Sequence, residues 1–454
     1  MEHVTNRLAE FIARLTYGQI PGKVIENVKK CLLDSLGCAI FGSSFKWAKI
    51  VNDFVRSQGG IPEATLWSTD FSGPAAAVVL GNGTMIHSFD FDDYHMTKLH
   101  PGSVVIPAAL AIGEKEHIDG ISLITAVVSG YETMTHVSRG ANPAASRLRG
   151  WHLTGTCGTF GAAAAAGKIW QFDAQTMACA LGMAGTQSAG LWAFTADGSH
   201  SKRFHPGRSS QSGIIAASLA QRGYRGPTKI LEAEDGGFYK ATSNGFSFSR
   251  IFEGLGERFD TQNVAIKPYP ACGSLHSSID AVLSLRKEYR IDTEKVKKIN
   301  VYNSEVVNVQ CGFDYSPMGP LQGQMSLKYC VARALMDGML SALQFKDEKL
   351  SEPAVVDLAG RVNFIKHDEI DRIYPRKFPS IVEIIMDDGK TYKLRVDFPK
   401  GSKQNPMTWK EVEVKFRINV SDVISERKAV EIIDLVKNLE KIKDVSKLTC
   451  LLKA

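Results

Sequence analysis

Apolar residues recur at helical spacing through roughly the first 260 positions and again from about 408 onward. KVIENVKKCLLDSLGCAIFG predicts a helix ending on Gly42, and EATLWS a short extended piece. PAAAVVLGNGTMIHSFDF, SVVIPAALAIGEKE and GISLITAVVSGYETMTHVSRG predict further helices, punctuated by Gly and Pro. GTCGTFGAAAAAGKI and AQTMACALGMAGTQSAG are rich in Gly and Ala. Small residues at Gly155, Gly158 and Gly161 allow close approach between helices, so these segments are expected to be central and buried. Near residue 262 the period changes. KVKKINVYNSEVV, GRVNFIKHDE and PSIVEIIMDDGKTYKLRVDFP alternate like strands, with an Asp-Gly hairpin turn in the last. SLKYCVARALMDG and EPAVVDLAG are helices between them. The pattern predicts a helical domain of residues 1–262 completed by 403–454, and a separate α+β domain over 263–402.

Chemistry concentrates in HSFDFDDYHMTKLHPGS, residues 87–103, which holds three aspartates and three histidines before an apolar helix. Taken as helix, His87, Asp90 and Tyr94 share one face, and Pro101-Gly102 then turns the chain at His100. A carboxylate, a phenol and imidazoles beside a buried helix suit proton transfer on a polar substrate; the ordinary alternative is a solvated acidic helix start. In RLRGWHLTGTCGTFG, His152 precedes a Gly-rich helix start, where backbone N–H groups favour an anion. ADGSHSKRFHPGRSS reads as a loop carrying Lys202, Arg203, His205 and Arg208, suited to carboxylate or phosphate. AIKPYPACGSLHSSIDA places Lys267 between apolar residues at the expected domain junction, followed by Cys272 and His276. For Cys272, plain packing is favoured over a Cys–His nucleophile. HDEID at His367–Asp371 contains a His-Asp pair, but its strand-like surroundings argue against a helical metal site.

Composition narrows the class. With 44% hydrophobic and 22% charged residues, the 454-residue chain is an ordinary soluble protein with room for two or three domains. A net charge of +6 suits a site for small anions and is far too little for a nucleic-acid binder. The eight cysteines form no CxxC pair, so neither a zinc ribbon nor an iron–sulfur run is indicated, and no cofactor is expected. The N-terminal MEHVTNRLAEFIARL is amphipathic and contains acids, unlike a signal peptide, and GTFGAAAAAGKIW is too short to span a bilayer. A cytoplasmic protein is expected.

GNGTMIHSFDFDDYH with HPGSVVIPAALAIGE, GWHLTGTCGTFGAAAA, SKRFHPGRSS, GIIAA and IKPYPAC, in this order over nearly the whole chain, resemble the MmgE/PrpD family. That family includes 2-methylcitrate dehydratases, cis-aconitate decarboxylases and iminodisuccinate epimerases. The resemblance implies a mainly α fold, with a large all-helical domain built from both chain ends and an inserted smaller α+β lid. It also implies a homodimer without a metal or cofactor. Carried over by position, Asp90, His100, His152 and Lys267 are the expected catalytic residues, with Tyr94 and Lys202 on the substrate. Arg208 is added as a further carboxylate partner. The chain departs from the decarboxylases at Tyr94, where they carry threonine, and at Cys272, where they carry histidine. Their lid tyrosine falls near Asn308, and SRLRG lacks the tyrosine the epimerases use before GWH. The function so implied is a metal-independent lyase acting on a small di- or tricarboxylate, dehydration being placed ahead of decarboxylation. The alternatives are a dicarboxylate isomerase or epimerase and a non-catalytic carboxylate binder. Neither nucleic acid nor membrane is an expected partner.

Overall fold

The computed structural model describes residues 3–373 and 377–454. The chain divides into two compact units, one running up to Ile266 and resuming at Trp409–Ala454, the other spanning Lys267–Thr408.

The first unit is helical and is built around the helix Leu153–Ile169, in which every residue from Leu153 to Gly167 is buried. Its Gly/Ala composition lets the helices Gly102–Lys115, Gly120–Ala141, Ala174–Gly185 and Ser201–Gln221 all pack on it. Gly161 illustrates the closeness, because a Cβ there would stand 3.0 Å from the Gly130 carbonyl oxygen. The helix Ala75–Ile86 meets Ser201–Gln221 through Gly83 and Gly207. A methyl on Gly83 would sit 2.7 Å from the Gly207 Cα, so neither position accepts a side chain without moving a helix. This contact fixes the first turn of Ser201–Gln221 relative to the chain leaving Ala75–Ile86, and the site forms there.

The C-terminal segment is integral to this unit. The helix Trp409–Val420 packs on Gly22–Gly42, with the Phe416 ring against Gly37. Further on, the Val445 N–H donates to the Ile118 carbonyl at 2.9 Å, and the Ser68 N–H to that of Leu452 at 2.6 Å. Two expectations need correction. Residues 223–265 hold only the short pieces Phe238–Thr242, Phe248–Ile251 and a 3-10 turn, because GP, DGG, SNG and GLG interrupt any longer run. SKRFHPGR is not a loop but the start of Ser201–Gln221. Pro206 lies in its second turn, so the helix runs through it at the loss of one bond, to the Lys202 carbonyl.

The second unit carries a four-stranded sheet in the order Val362–Lys366, Val296–Asn303, Ser380–Met386, Thr391–Val396. The first pair is parallel and the other two are antiparallel. Ser380–Met386 alternates between buried and half-buried positions, the strict period of two that its sequence displays. Gly389 closes the hairpin with φ +84°, a conformation that glycine adopts without strain. The helix His276–Tyr289 packs on the hairpin strands. Of HDEID, Asp368–Ile373 forms a short helix rather than strand, and Glu369 forks onto Arg395 at 2.9 and 3.0 Å. No helix among the described residues is long and apolar enough to cross a membrane.

Candidate active site

Residues 87–101 are not helical. Ala75–Ile86 ends in a 3-10 turn, His87–Phe89, and Asp90 then adopts a left-handed conformation at φ 53°, ψ 37°. Left-handed backbone is disfavoured for a residue with a Cβ and persists only where the surroundings enforce it. Its effect here is to reverse the chain, so His87, Asp90 and Tyr94 do not share a helix face. Instead His87 Nδ1 reaches back to both carboxylate oxygens of Asp92, at 2.9 and 3.0 Å. Tyr94 is held by paired backbone bonds to Ala265, 2.8 Å in each direction. His100 does not end a helix; it precedes Gly102–Lys115.

The turn sorts its polar groups into two levels. Facing outward are Asp90, His100 and Lys202, whose side chains are 30%, 14% and 21% exposed. Lys202, in the first turn of Ser201–Gln221, places its ammonium 2.9 Å from Asp90 Oδ2. His100 Nε2 lies 3.5 Å from Asp90 Oδ1. Behind them, His87, Asp92 and Asp93 are fully buried. Asp93 accepts from the Tyr131 hydroxyl at 2.6 Å and from the Gly102 N–H at 2.8 Å. The glycine of HPGS is required at this point, since a Cβ would meet the Asp93 carboxylate at 2.7 Å. From the C-terminal helix, Lys415 donates to the Phe91 carbonyl at 2.6 Å and pairs with Asp34 at 2.5 Å. That lysine ties the turn to the far end of the sequence.

His100 is oriented at two atoms. Its backbone N–H donates to Thr154 Oγ1 at 3.1 Å, and its Nδ1 lies 2.9 Å from the Asp93 carbonyl oxygen. A carbonyl can only accept, so Nδ1 carries hydrogen and Nε2 is the atom that can exchange a proton outward. His152 is the N-cap of Leu153–Ile169 and its N–H donates to Gly190 at 2.9 Å. Its Nδ1 stands 3.0 Å from His205 Nδ1, one turn after Lys202. Burial pushes His152 well below the ordinary histidine range and His205 to about 4, with the Lys202 charge adding to both. The two rings are therefore neutral, one donating and the other accepting.

Burial drives His87 down to about 4 against the pull of Asp92, so this ring is neutral too. Asp92 itself is held well below the carboxylate range: its burial opposes this, and the imidazoles of His87 and His100 facing its oxygens outweigh it. Asp93 and Asp34 go the other way. Burial raises them to about 8 and about 6, the latter despite Lys415.

His87, Asp90, Asp92 and His100 each offer a ligand atom within 4.8 Å of the others. As a donor set they could close on a divalent ion. Protein cations and N–H groups already meet these atoms, however, Lys202 on Asp90 and His87 on Asp92.

Of the expected residues, Asp90, His100, Lys202 and His152 are gathered in the first unit. Arg208 lies further along the helix of Lys202, exposed, with its guanidinium 2.6 Å from Gln211. Arg147 stacks on Trp192, 3.8 Å from the ring centroid, and that indole meets the His152 ring edge-on. Lys267 opens the second unit and is buried. In that unit Gln324 fixes the IKPYPAC segment, accepting from the Cys272 N–H at 2.9 Å and donating to Pro270 at 3.0 Å. The Cys272 thiol is drawn down to about 6, chiefly by the Cys311 thiol and against its own burial, with the Ser274 N–H and Lys267 contributing. Asn308 donates to Glu305 on its own helix at 3.1 Å. Sequence alone assigns no role to Asp92 or Asp93, and names His87 and His205 without placing them in the site set. The clustering of acids in DFDD is the only signal that could have suggested the first two.

This combination, a helical body presenting a lysine–carboxylate–histidine cluster over a buried acid pair, is suited to acid–base chemistry on anionic substrates. Family models for the MmgE/PrpD N-terminal and C-terminal domains match residues 6–251 and 269–441. The chain belongs to the MmgE/PrpD family. It is 30% identical to a cis-aconitate decarboxylase of Aspergillus terreus, across 99% of this chain and 96% of that protein. It is 28% identical to a cis-aconitate decarboxylase of Homo sapiens, across 100% and 95%. Identity to a 2-methylcitrate dehydratase of Cupriavidus necator is 21%, across 88% and 86%. These relatives support a lyase acting on a small carboxylate.

Proposed function

We propose that this protein is a metal-independent lyase of a small di- or tricarboxylate, with loss of carbon dioxide placed ahead of loss of water. The observation that carries the reading is the Lys202–Asp90–His100 array, half-exposed over a buried carboxylate. Sequence alone favours dehydration. The order is reversed because similarity to decarboxylases runs the full length at 26–30%, against 21–23% over 84–88% of the chain for dehydratases.

Breaking a bond beside a carboxylate leaves charge on that carboxylate as it develops enediolate character. Lys202 supplies a positive charge for it, and Asp90 holds the ammonium in place until substrate competes for it. His100, with hydrogen fixed on Nδ1, delivers or accepts a proton through Nε2. His152 and His205, both neutral, can pass one proton between them by exchanging donor and acceptor roles. Lys267 is assigned to the same reaction on the family resemblance, as are Tyr94 as a substrate contact, a closing α+β lid and a homodimer; Arg208 is assigned as a further carboxylate partner on its charge. Nothing in the chemistry calls for a metal or an organic cofactor.

The test is a panel of citrate-like and aconitate-like acids incubated with purified protein and followed by mass spectrometry. Loss of the mass of carbon dioxide is the expected result. Loss of water restores the dehydratase order. A product of unchanged mass in ordinary water that gains deuterium in heavy water replaces the lyase with an isomerase, and binding without turnover replaces it with a carboxylate-binding protein. With a substrate in hand, Lys267→Ala should cut turnover about a hundredfold or more, the size usual for one charge-stabilising group. Cys272→Ser should cost far less. The inverse result would move the chemistry to the lowered thiol of Cys272.

A further inference from the structure

We propose that Asp92, held in place by His87, is the positioning carboxylate of His100, a fixed anion beside the Nδ1–H that the Asp93 carbonyl orients. The inference rests on the reading of His100 as the proton-transfer group. Asp92 never meets solvent, so its role is exercised through the imidazoles. Its two oxygens are divided. Both lie within 3.0 Å of His87 Nδ1, and Oδ2 also lies 3.5 Å from His100 Nδ1. The His87 and His100 rings meet at 4.5 Å between centroids, tilted by 62°, so neither can rotate without displacing the other.

The hydrogen positions follow from the partners. An ionised carboxylate only accepts, so His87 donates from Nδ1. His87 Nε2 is buried and has no hydrogen-bond partner among the described residues, so a hydrogen there would be an unsatisfied donor, whereas a lone pair costs less. His87 is thereby confined to the Nδ1–H form, the minor tautomer of free histidine. With that donor on one side, Asp92 keeps its charge and turns the remaining acceptor capacity toward His100. When His100 takes a proton on Nε2, the new imidazolium has a fixed anion at its Nδ1 edge. The arrangement works as an aspartate does behind a catalytic histidine in a hydrolase, on an unrelated framework.

Two pairs of variants separate this role from packing. His87→Asn leaves an N–H near the place of Nδ1 and loses the ring; His87→Phe keeps the ring and loses the N–H. Activity should survive His87→Asn much better than His87→Phe, whereas a packing role predicts the reverse order. Asp92→Asn turns an N–H toward the His100 N–H and should lower kcat about a hundredfold or more with KM little changed, within the range of a lost acid–base contribution. An equal kcat in Asp92→Asn, or Phe outperforming Asn at position 87, overturns the proposal.

A second measurement needs no substrate and stays decisive if the lyase reading fails. Nitrogen-15 spectra of the full chain labelled at its eleven histidines report each tautomer, with the His87 signals identified by their loss in His87→Asn. His87 should be in the Nδ1–H form in the native protein and should lose it in Asp92→Ala. Finding His87 as Nε2–H, or charged near neutral pH, overturns the arrangement whatever the reaction proves to be.

Discussion

Asp90 and Asp92 are two residues apart and have opposite surroundings. Asp90 is half-exposed, held in left-handed backbone, and meets a lysine and a histidine that substrate could displace. Asp92 is sealed off and meets imidazoles that nothing displaces. One turn of chain thus separates groups available for chemistry from groups that hold them. The energetic consequence is a division of labour: substitutions on the outer level should cost activity and spare the fold, whereas those beneath it should cost stability as well as any positioning they provide.

The largest effect is expected underneath. Lys415 is the cation against Asp34 and the donor to the Phe91 carbonyl, inside the turn of residues 87–101. Lys415→Met leaves a buried carboxylate without its partner, at a cost of about 3–5 kcal/mol in unfolding free energy. Asp34 can escape part of that cost by protonating, since burial already lifts it to about 6. The loss measured by urea unfolding should therefore be smaller at pH 5 than at pH 8. An undiminished midpoint at pH 8 would erase the distinction between the levels.

Next come the outward groups. His100→Ala and Lys202→Ala should each lower turnover about a hundredfold or more, as befits a proton-transfer group and a charge-stabilising one. Their melting temperatures should stay near that of the native protein, because both side chains are partly exposed. A collapse in stability for either would place it with the buried set.

How much of this division could be read in the sequence depends on range. The Gly/Ala helix Leu153–Ile169 announces its burial, because small residues in a helical run have one use, close packing. The strand Ser380–Met386 likewise announces its period. His152 before GTCG is legible as a helix start for the same local reason. The turn at 87–101 is different. Its helical appearance comes from spacing alone, and the left-handed Asp90 that breaks it is imposed by distant partners, Arg203 bonding the Ser88 carbonyl at 2.8 Å and Lys415 that of Phe91. Lys202 on a helix rather than a loop has the same origin. SKRFHPGR has poor local helix propensity and is carried by the packing of the rest of Ser201–Gln221. Asp92 and Asp93 could not be ranked above Asp90 from residue type, since only burial tells them apart.

A subtler expectation concerns the pH dependence of stability. Asp93 keeps its proton up to about pH 8 in the folded protein, whereas in the unfolded chain it loses it near 4. Between those limits the folded state binds more protons, so this residue makes stability fall as pH rises. His87 acts in the opposite window. It titrates near 4 when folded and near 6.5 when unfolded, so its contribution is lost as pH falls from 6.5 toward 4. Asp93→Asn should remove the first slope, and the gap in melting temperature between native and variant should narrow from pH 5 to pH 8. A gap that stays constant over that range would mean Asp93 is ionised in the fold.

The smallest expected effect is none at all, and it bears on how the two levels are neutralised. His87, Asp90, Asp92 and His100 could surround a divalent ion by distance alone. An ion among them would have to displace Lys202 from Asp90 and the His87 N–H from Asp92, or share oxygens already engaged. Displacing the ammonium would strip the outer level of the group proposed to meet the substrate carboxylate. The chain also lacks the clustered cysteines of an iron–sulfur site. Turnover of the proposed carboxylate should therefore be the same after dialysis against EDTA, and added zinc or iron should leave it unchanged or lower it by occupying the cluster. A stoichiometric metal whose removal abolishes turnover, and whose return restores it, would make Asp90 a ligand first and a lysine partner second. The comparison with Asp92 would then be between two ligands of one ion.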